Sequence, residues 1–225
     1  MKDSTTRTRG RGRRPAAKPA PVRAPRFQQE RSRRTFEALV DAAEALFAEH
    51  GYDATGSPEI ARKAGASVGT FYRYFDDKKQ VFLEVVRRHL EQMMTSTLDG
   101  ISPAALAGKA RHETIAIAID ALFRSVTHHP GLSRTIEEMA LRDPEVAALR
   151  HRYEQASRQR ITQLVTLVAL PEVVADPQAT AWALTACAME CAAAAGGLRG
   201  AGAPSQARLR AALIAMVERL LFGDE

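Results

Sequence analysis

The sequence predicts an all-α protein, and three observations carry that reading. Apolar residues recur at three- and four-residue spacing through most of the chain. Val, Ile and Thr nowhere alternate with polar residues over a useful length, while alanine and leucine dominate. Asp-Pro and Ser-Pro pairs, and glycines after apolar stretches, punctuate the chain as helix starts and stops. With 225 residues the chain can bury a sizeable core and holds one or two domains.

Taken in order, Phe36, Leu39, Val40, Ala43, Leu46 and Phe47 form the first amphipathic stripe, and Gly51 stops it. Tyr52 begins the link to Ser57. Ser57 before Pro58 reads as a helix start, with a side-chain oxygen at the N-cap and a preset φ at the first helical position. Ile60, Ala61 and Ala64 follow at helical spacing, and Gly65 ends that helix. Ser67 caps the next helix, expected to run through Tyr74. Within it Phe71 and Phe75 face inward, leaving Thr70, Tyr72, Arg73 and Tyr74 to point outward. Asp77 and Gln80 have capping-box spacing and open a long helix carrying Val81, Phe82, Val85, Val86 and Leu90. Lys78 and Lys79 sit in its first turn, where cations oppose the helix dipole and a bound phosphate would offset them.

The stretch from Ile60 to Phe75 thus pairs two short helices across a tight turn, the second bearing small polar groups and aromatic hydroxyls. That is the pattern of a helix-turn-helix whose second helix enters the DNA major groove. Residues 33–86 resemble the N-terminal domain of TetR-type transcriptional regulators. The resemblance rests on Ala42-Ala43-Glu44-Ala45-Leu46-Phe47, Gly51-Tyr52, Thr55, Ile60-Ala61, Ala64-Gly65, Ser67, Gly69-Thr70, Tyr72, Tyr74-Phe75 and Lys78. It implies an all-helical homodimer with a C-terminal ligand-binding and dimerisation domain. It also implies DNA contact by Ser67, Gly69, Thr70, Tyr72, Tyr74 and Lys78. Two positions depart from the family. Gly56 replaces a frequent serine or threonine, a role that Ser57 is expected to take over. Val68 replaces a frequent polar residue and suits a thymine methyl. With Arg73, these complete the expected DNA-binding set.

Residues 1–29 carry nine Lys or Arg against one acidic residue, Asp3, a local +8; with a formal net charge of +6, the rest of the chain is near −2. Residues 1–26 are rich in Pro, Gly and Ala, which predicts a disordered basic arm. Such an arm either follows phosphates and enters a minor groove, as Arg9-Gly10-Arg11-Gly12-Arg13 suggests, or is a solvated leader. The domains expected are therefore the arm at 1–29, a helix-turn-helix domain at 30–90 with its motif near 55–74, and a helical domain at 91–225.

In that last domain a helix is expected from Pro103 to His129, with Ile115, Ile119, Leu122, Phe123 and Val126 on its apolar side. Pro130-Gly131 breaks it, and a short helix follows near Ser133–Ala140. Asp143-Pro144 opens a helix to about Leu167, and Asp176-Pro177 opens another to about Ala195, stopped by Gly196-Gly197. Pro204 begins the last, to Phe222. The penultimate helix is mostly alanine, and small residues bury little area each, so it needs neighbours on several sides. Pairing of the last two helices with their symmetry mates would supply them.

Met93, Met94, Phe123, Met139, Tyr153, Trp182 and Met189 are the candidate lining of a cavity for a small apolar effector. Glu190, alone in an apolar helix, is expected to pair with an arginine at the dimer interface or with a polar group in the cavity. Cys187 and Cys191, one turn apart, are expected to stay reduced. The histidines lack a repeated metal-ligand spacing, and no nucleophile motif, Walker loop or dinucleotide fingerprint occurs, so no catalytic residue, metal or cofactor is expected. No apolar run reaches membrane-spanning length, and a cytoplasmic location is expected. These readings converge on a ligand-released dimeric repressor of a palindromic operator on double-stranded DNA. The alternative is an architectural DNA-binding protein that uses the basic arm without an effector.

Overall fold

The computed structural model describes residues 30–99, 101–107 and 110–223, so the basic arm lies outside the described residues. Every regular element among the described residues is a helix. The first, α1 (Glu30–Ala54), buries Phe36, Leu39, Val40, Ala43, Leu46 and Phe47 on one face. Its helical geometry breaks at Gly51 (φ 78°, ψ 177°), the residue expected to stop it. After α2 (Ser57–Lys63) and α3 (Val68–Phe71) comes α4 (Lys78–Leu98). Asp77 caps α4 by accepting from the Gln80 backbone N–H at 2.8 Å. The reciprocal half of the capping box is displaced by one residue: Gln80 Oε1 accepts from the backbone N–H of Asp76, at 2.9 Å.

The C-terminal part comprises α5 (Pro103–Ala107), α6 (Arg111–Thr127), α7 (Pro130–Arg142), α8 (Pro144–Val168), α9 (Pro177–Ala195) and α10 (Gln206–Phe222). The single helix expected from Pro103 to His129 is thus two, α5 and α6, with Gly108, a poor helix former, in the intervening sequence. The Asp-Pro starts are found where expected. Asp143 accepts from the N–H groups of Glu145 and Val146 (2.8 and 3.3 Å), and Asp176 from those of Gln178 and Ala179 (3.0 and 2.9 Å). Cys187 and Cys191 are free thiols.

Two apolar cores result. The second gathers α6, α9, α10 and the end of α8 around Phe123, Val165, Leu184 and Leu213. The first holds the N-terminal helices together, and residues 36–90 do not close it alone: Leu132, Ile136 and Met139 of α7 and Val146 and Leu149 of α8 complete it. The reason is a close approach of α7 to α1. A Cβ on Gly131 would stand 2.0 Å from the Ala48 carbonyl oxygen, so only glycine lets the helices meet there. One turn on, the Thr135 hydroxyl lies 3.0 Å from the carbonyl oxygens of both Phe47 and Gly131. Met93 packs against both cores, so α4 runs from one into the other.

Candidate nucleic-acid interface and adjoining cavities

The α2–α3 turn is built from backbone caps. At the start of α2 the N-cap is Gly56, in extended conformation, whose carbonyl accepts from Ile60 N–H at 3.0 Å. Ser57 is therefore the first helical residue, not the cap; it makes no capping bond and is only 8% exposed. Pro58 still lies in the first turn, where its missing N–H is not needed. This corrects the expected role of Ser57, which is taken off the surface by its own helix start. At the far end Gly65 (φ 66°) makes the left-handed turn. Gly65 N–H donates to Arg62 O (3.1 Å) and Ala66 N–H to Ala61 O (2.9 Å), a Schellman motif.

Ser67 caps α3, accepting from Thr70 N–H at 3.1 Å, with its Oγ also 2.9 Å from Thr70 Oγ1. The helix is shorter than expected: α geometry ends at Phe71. Arg73 and Tyr74 N–H then bond the carbonyls of Thr70 and Phe71, three residues back, which tightens the chain. That winding swings Phe75 under the motif, where it stacks on Phe36 (5.2 Å between centroids) and meets Phe71 (5.5 Å).

Of the expected DNA-binding residues, Ser67, Val68, Gly69, Tyr72 and Arg73 are exposed and Thr70 is half-buried. Val68 and Tyr72 are 40% and 53% exposed. Tyr74 differs. Its hydroxyl lies 3.0 Å from Ser32 Oγ and its ring packs 6.2 Å from Phe36, so it fastens the motif to α1. Lys78 differs too: its Nζ donates to Tyr52 O at 2.7 Å and sits 4.2 Å from the centre of that residue's ring. Burial holds its pKa below the ordinary lysine value. Lys79 bridges Asp143 (2.8 Å) and Glu145 (3.2 Å) at the start of α8, and the Asp143 hydrogen bond raises its pKa. The dipole-opposing lysines thus have internal acceptors in the absence of any phosphate. Arg142 adds a two-pronged bond to Asp53, 2.7 and 3.3 Å. Sequence reasoning passed over Arg62 and Lys63, exposed cations in the last turn of α2.

Two cavities lie among α4 and the helices that follow it, with four lining residues in common. The smaller, about 180 Å³, lies among the C-terminal end of α4 and helices α5, α6, α8, α9 and α10, with walls almost wholly apolar. Thr97 Oγ1, in its wall, is buried without a hydrogen-bond partner. The larger, about 580 Å³, lies among α4, α7, α8 and α9 and has charged walls. Met93, Ser157, Thr185 and Met189 line both.

Of the expected lining, Met93, Met94 and Met189 border the smaller cavity, and Met93, Tyr153, Trp182 and Met189 the larger. Phe123 and Met139 line neither. Phe123 is packed into the second core, and Met139 into the first because α7 docks on α1. Trp182 is 60% exposed. Glu190 finds its arginine within the chain: Arg199 Nε lies 3.0 Å from both carboxylate oxygens, and its Nη1 reaches Glu137 at 3.2 Å. A second Schellman turn at Gly197 (φ 73°) folds the chain back on α9 and makes that pair. No group of three or more His, Cys, Asp or Glu among the described residues could hold a metal ion. No described helix is long and apolar enough to cross a membrane.

A capped helix-turn-helix with an exposed second helix, carried on an α-helical body with two cavities, is the architecture of a helix-turn-helix protein. Residues 39–85 match the model of the bacterial regulatory proteins of the tetR family. The chain is 30% identical over 111 residues to the HTH-type transcriptional activator FasR of Mycolicibacterium smegmatis, 49% of each chain. It is 29% identical over 109 residues to the HTH-type transcriptional repressor KstR of the same organism, covering 48% of this chain and 50% of that one. The nucleoid occlusion factor SlmA of Haemophilus ducreyi is 28% identical over 117 residues, 50% of this chain and 52% of that one. The matches thus span about half the length of these relatives. A Mesorhizobium loti protein assigned to the TetR family superposes with a TM-score of 0.70 at 25% identity, over 86% of this chain and 98% of that one.

Proposed function

We propose that this chain is a sequence-specific DNA-binding transcriptional regulator, not an enzyme: a homodimeric repressor released from a palindromic operator by a small effector. The observation that carries the reading is the surface of α3. A helix of one turn, capped at Ser67 and rooted by two buried phenylalanines, holds Val68, Tyr72 and Arg73 out in solvent. Such a surface suits a base edge: hydroxyls and a guanidinium for hydrogen bonds, a valine for a thymine methyl, and Gly69 for close approach of the backbone. Tyr74 and Lys78 position that surface from behind. Arg62 and Lys63 supply phosphate contacts beside it.

Dimerisation is assigned to α9 and α10. Ala183 and Ala186 on α9 and Ala211, Ala212 and Ala215 on α10 are exposed, a small-residue surface that suits close helix packing, with Trp182 and Met189 exposed beside it. Two-fold symmetry then presents two α3 helices to successive major grooves, and a protein that reads DNA this way is assigned to the cytoplasm. The test selects a preferred site from random DNA, then titrates it and scrambled DNA at one salt concentration. A preference of about 1000-fold or more supports the regulator. Equal affinity for both favours the architectural reading, which the basic arm and the likeness to a nucleoid occlusion factor support.

A further inference from the structure

We infer that the effector is an anionic amphiphile, whose hydrocarbon chain enters the smaller cavity and whose head sits in the larger one against Arg158. The inference deepens the effector reading above and rests on it. An apolar cavity of about 150 Å³ stays dry and accepts a benzene-sized guest. The smaller cavity, about 180 Å³ and almost wholly apolar, has room for a guest of that order. It has no charged residue in its wall, so a charged head cannot lie there without a large desolvation cost.

The larger cavity is the reverse. At about 580 Å³ it has the volume of an ordinary ligand site, and three arginines and three glutamates line it. Five of those six charges are closely paired. Arg199 holds Glu137 and Glu190 at 3.2 and 3.0 Å, and Arg150 holds Glu154 at 2.9 Å. Arg158 is the exception. Its side chain is 21% exposed, and its nearest carboxylate oxygen, on Glu154, is 3.9 Å away, beyond hydrogen-bond range. Its other neighbour is the Trp182 ring, 5.6 Å from centroid to guanidinium carbon. A guanidinium offers a fork of donors matched to a carboxylate or phosphate, and this one stands in the cavity wall. His89, in the same walls, is held neutral by burial, its pKa pushed down to about 4, so it does not compete for the anion.

The two chambers share a wall that includes Ser157, next in sequence to Arg158. Ser157 and Thr185 bring hydroxyls to that junction, and Met93 and Met189 bring flexible thioethers. Rotation of these flexible side chains would open one chamber to the other, so that one molecule places a chain on one side and a charge on the other.

The test uses the full-length protein, Trp182 fluorescence confirmed by calorimetry, and four probes: octanoate, octanol, octyltrimethylammonium and acetate. Octanoate should bind at least about tenfold more tightly than the other three. Arg158→Gln should erase the gap between octanoate and octanol, and Arg158→Lys should restore part of it. Filling the small chamber with Leu122→Phe, which leaves Trp182 the single tryptophan, should bring octanoate down towards acetate. Equal binding of octanoate and octanol by the natural protein, or tighter binding of the cationic probe, overturns the proposal. So does an unchanged octanoate preference in Arg158→Gln. Operator affinity is measured separately. If octanoate binds as described but leaves DNA affinity unaltered, the amphiphile site stands and the effector reading fails.

Discussion

Adding one methyl group at Gly131 should loosen the hold of α7 on the N-terminal helix. The new Cβ would stand 2.0 Å from the Ala48 carbonyl oxygen and 3.0 Å from its carbon, against a practical minimum of 3.0 Å. The obstacle is backbone, so no side chain can swing aside, and α7 must retreat by about 1 Å or more. That retreat stretches the Thr135–Phe47 hydrogen bond, now 3.0 Å, beyond bonding range. The lost bond is worth about 1 kcal/mol. Overpacking where Leu132 and Ile136 are buried adds about 1–3 kcal/mol. Alanine is the better helix former by up to about 1 kcal/mol, which offsets part of this. The net expectation is a loss of about 1–4 kcal/mol, or about 2–16 °C in Tm for a chain of this size. Thermal melts at matched protein concentration measure it, with Thr135→Val isolating the hydrogen-bond share. A Tm for Gly131→Ala equal to or above that of the natural protein would refute the close α1–α7 contact.

On the cognate DNA site, Thr70→Ala and Tyr72→Ala should each cost about 1–3 kcal/mol, and an unaltered affinity in the double variant would remove α3 from the interface. Deleting residues 1–26 should weaken binding to all DNA and flatten its salt dependence; identical salt slopes would make the arm a bystander. Thr97→Val replaces an unpaired buried hydroxyl by a methyl of the same shape and should raise stability by about 1 kcal/mol; a lower Tm would show that the hydroxyl has a partner. His89, with a pKa near 4 in the folded chain against 6.5 for the free group, binds its proton more readily when unfolded. Stability should therefore rise with pH between about 4 and 6.5, by up to about 3 kcal/mol from this group, and His89→Gln should flatten that rise in melts run across the window.

What was legible in the sequence was local. Ser67, Asp77, Asp143 and Asp176 cap their helices because a side-chain oxygen and a nearby backbone N–H suffice. The inward pair Phe71 and Phe75 followed from helical spacing. What was not legible depended on partners far along the chain. Tyr74 points out by periodicity, yet Ser32 and Phe36 hold it. Lys78 looks like a free cation in its own helix, until the Tyr52 carbonyl 26 residues earlier is seen. Met139 belongs to the first core only because Gly131 lets α7 touch α1. Arg158 has Glu154 one turn back on its own helix, but the looseness of that pair, at 3.9 Å, and the Trp182 ring of α9 beside it depend on how α8 meets α9.

These long-range contacts constrain how a ligand could reach the DNA-binding surface. Met93, Met94, Thr97 and Leu98, at the C-terminal end of α4, stand in the wall of the smaller cavity. At the other end Lys78 is tied to the Tyr52 carbonyl and Lys79 to Asp143. The helix between is 21 residues, about 30 Å long. If α1 to α4 formed a core of their own, a push at the cavity end could turn them as a unit. They do not: α7 and the start of α8 share that core, with Asp53–Arg142 and Lys79–Asp143 at its rim. Ligand-driven motion must then either carry α7 with the helix-turn-helix or break those rim bridges, and the two routes respond differently to mutation. Lys79→Gln and Arg142→Gln should ease the second route, leaving ligand affinity nearly unchanged while shifting the DNA-bound fraction at a given ligand concentration. They should have no such effect on the first. In either case the factor by which ligand lowers DNA affinity must equal the factor by which DNA lowers ligand affinity, so both titrations are needed to read the coupling.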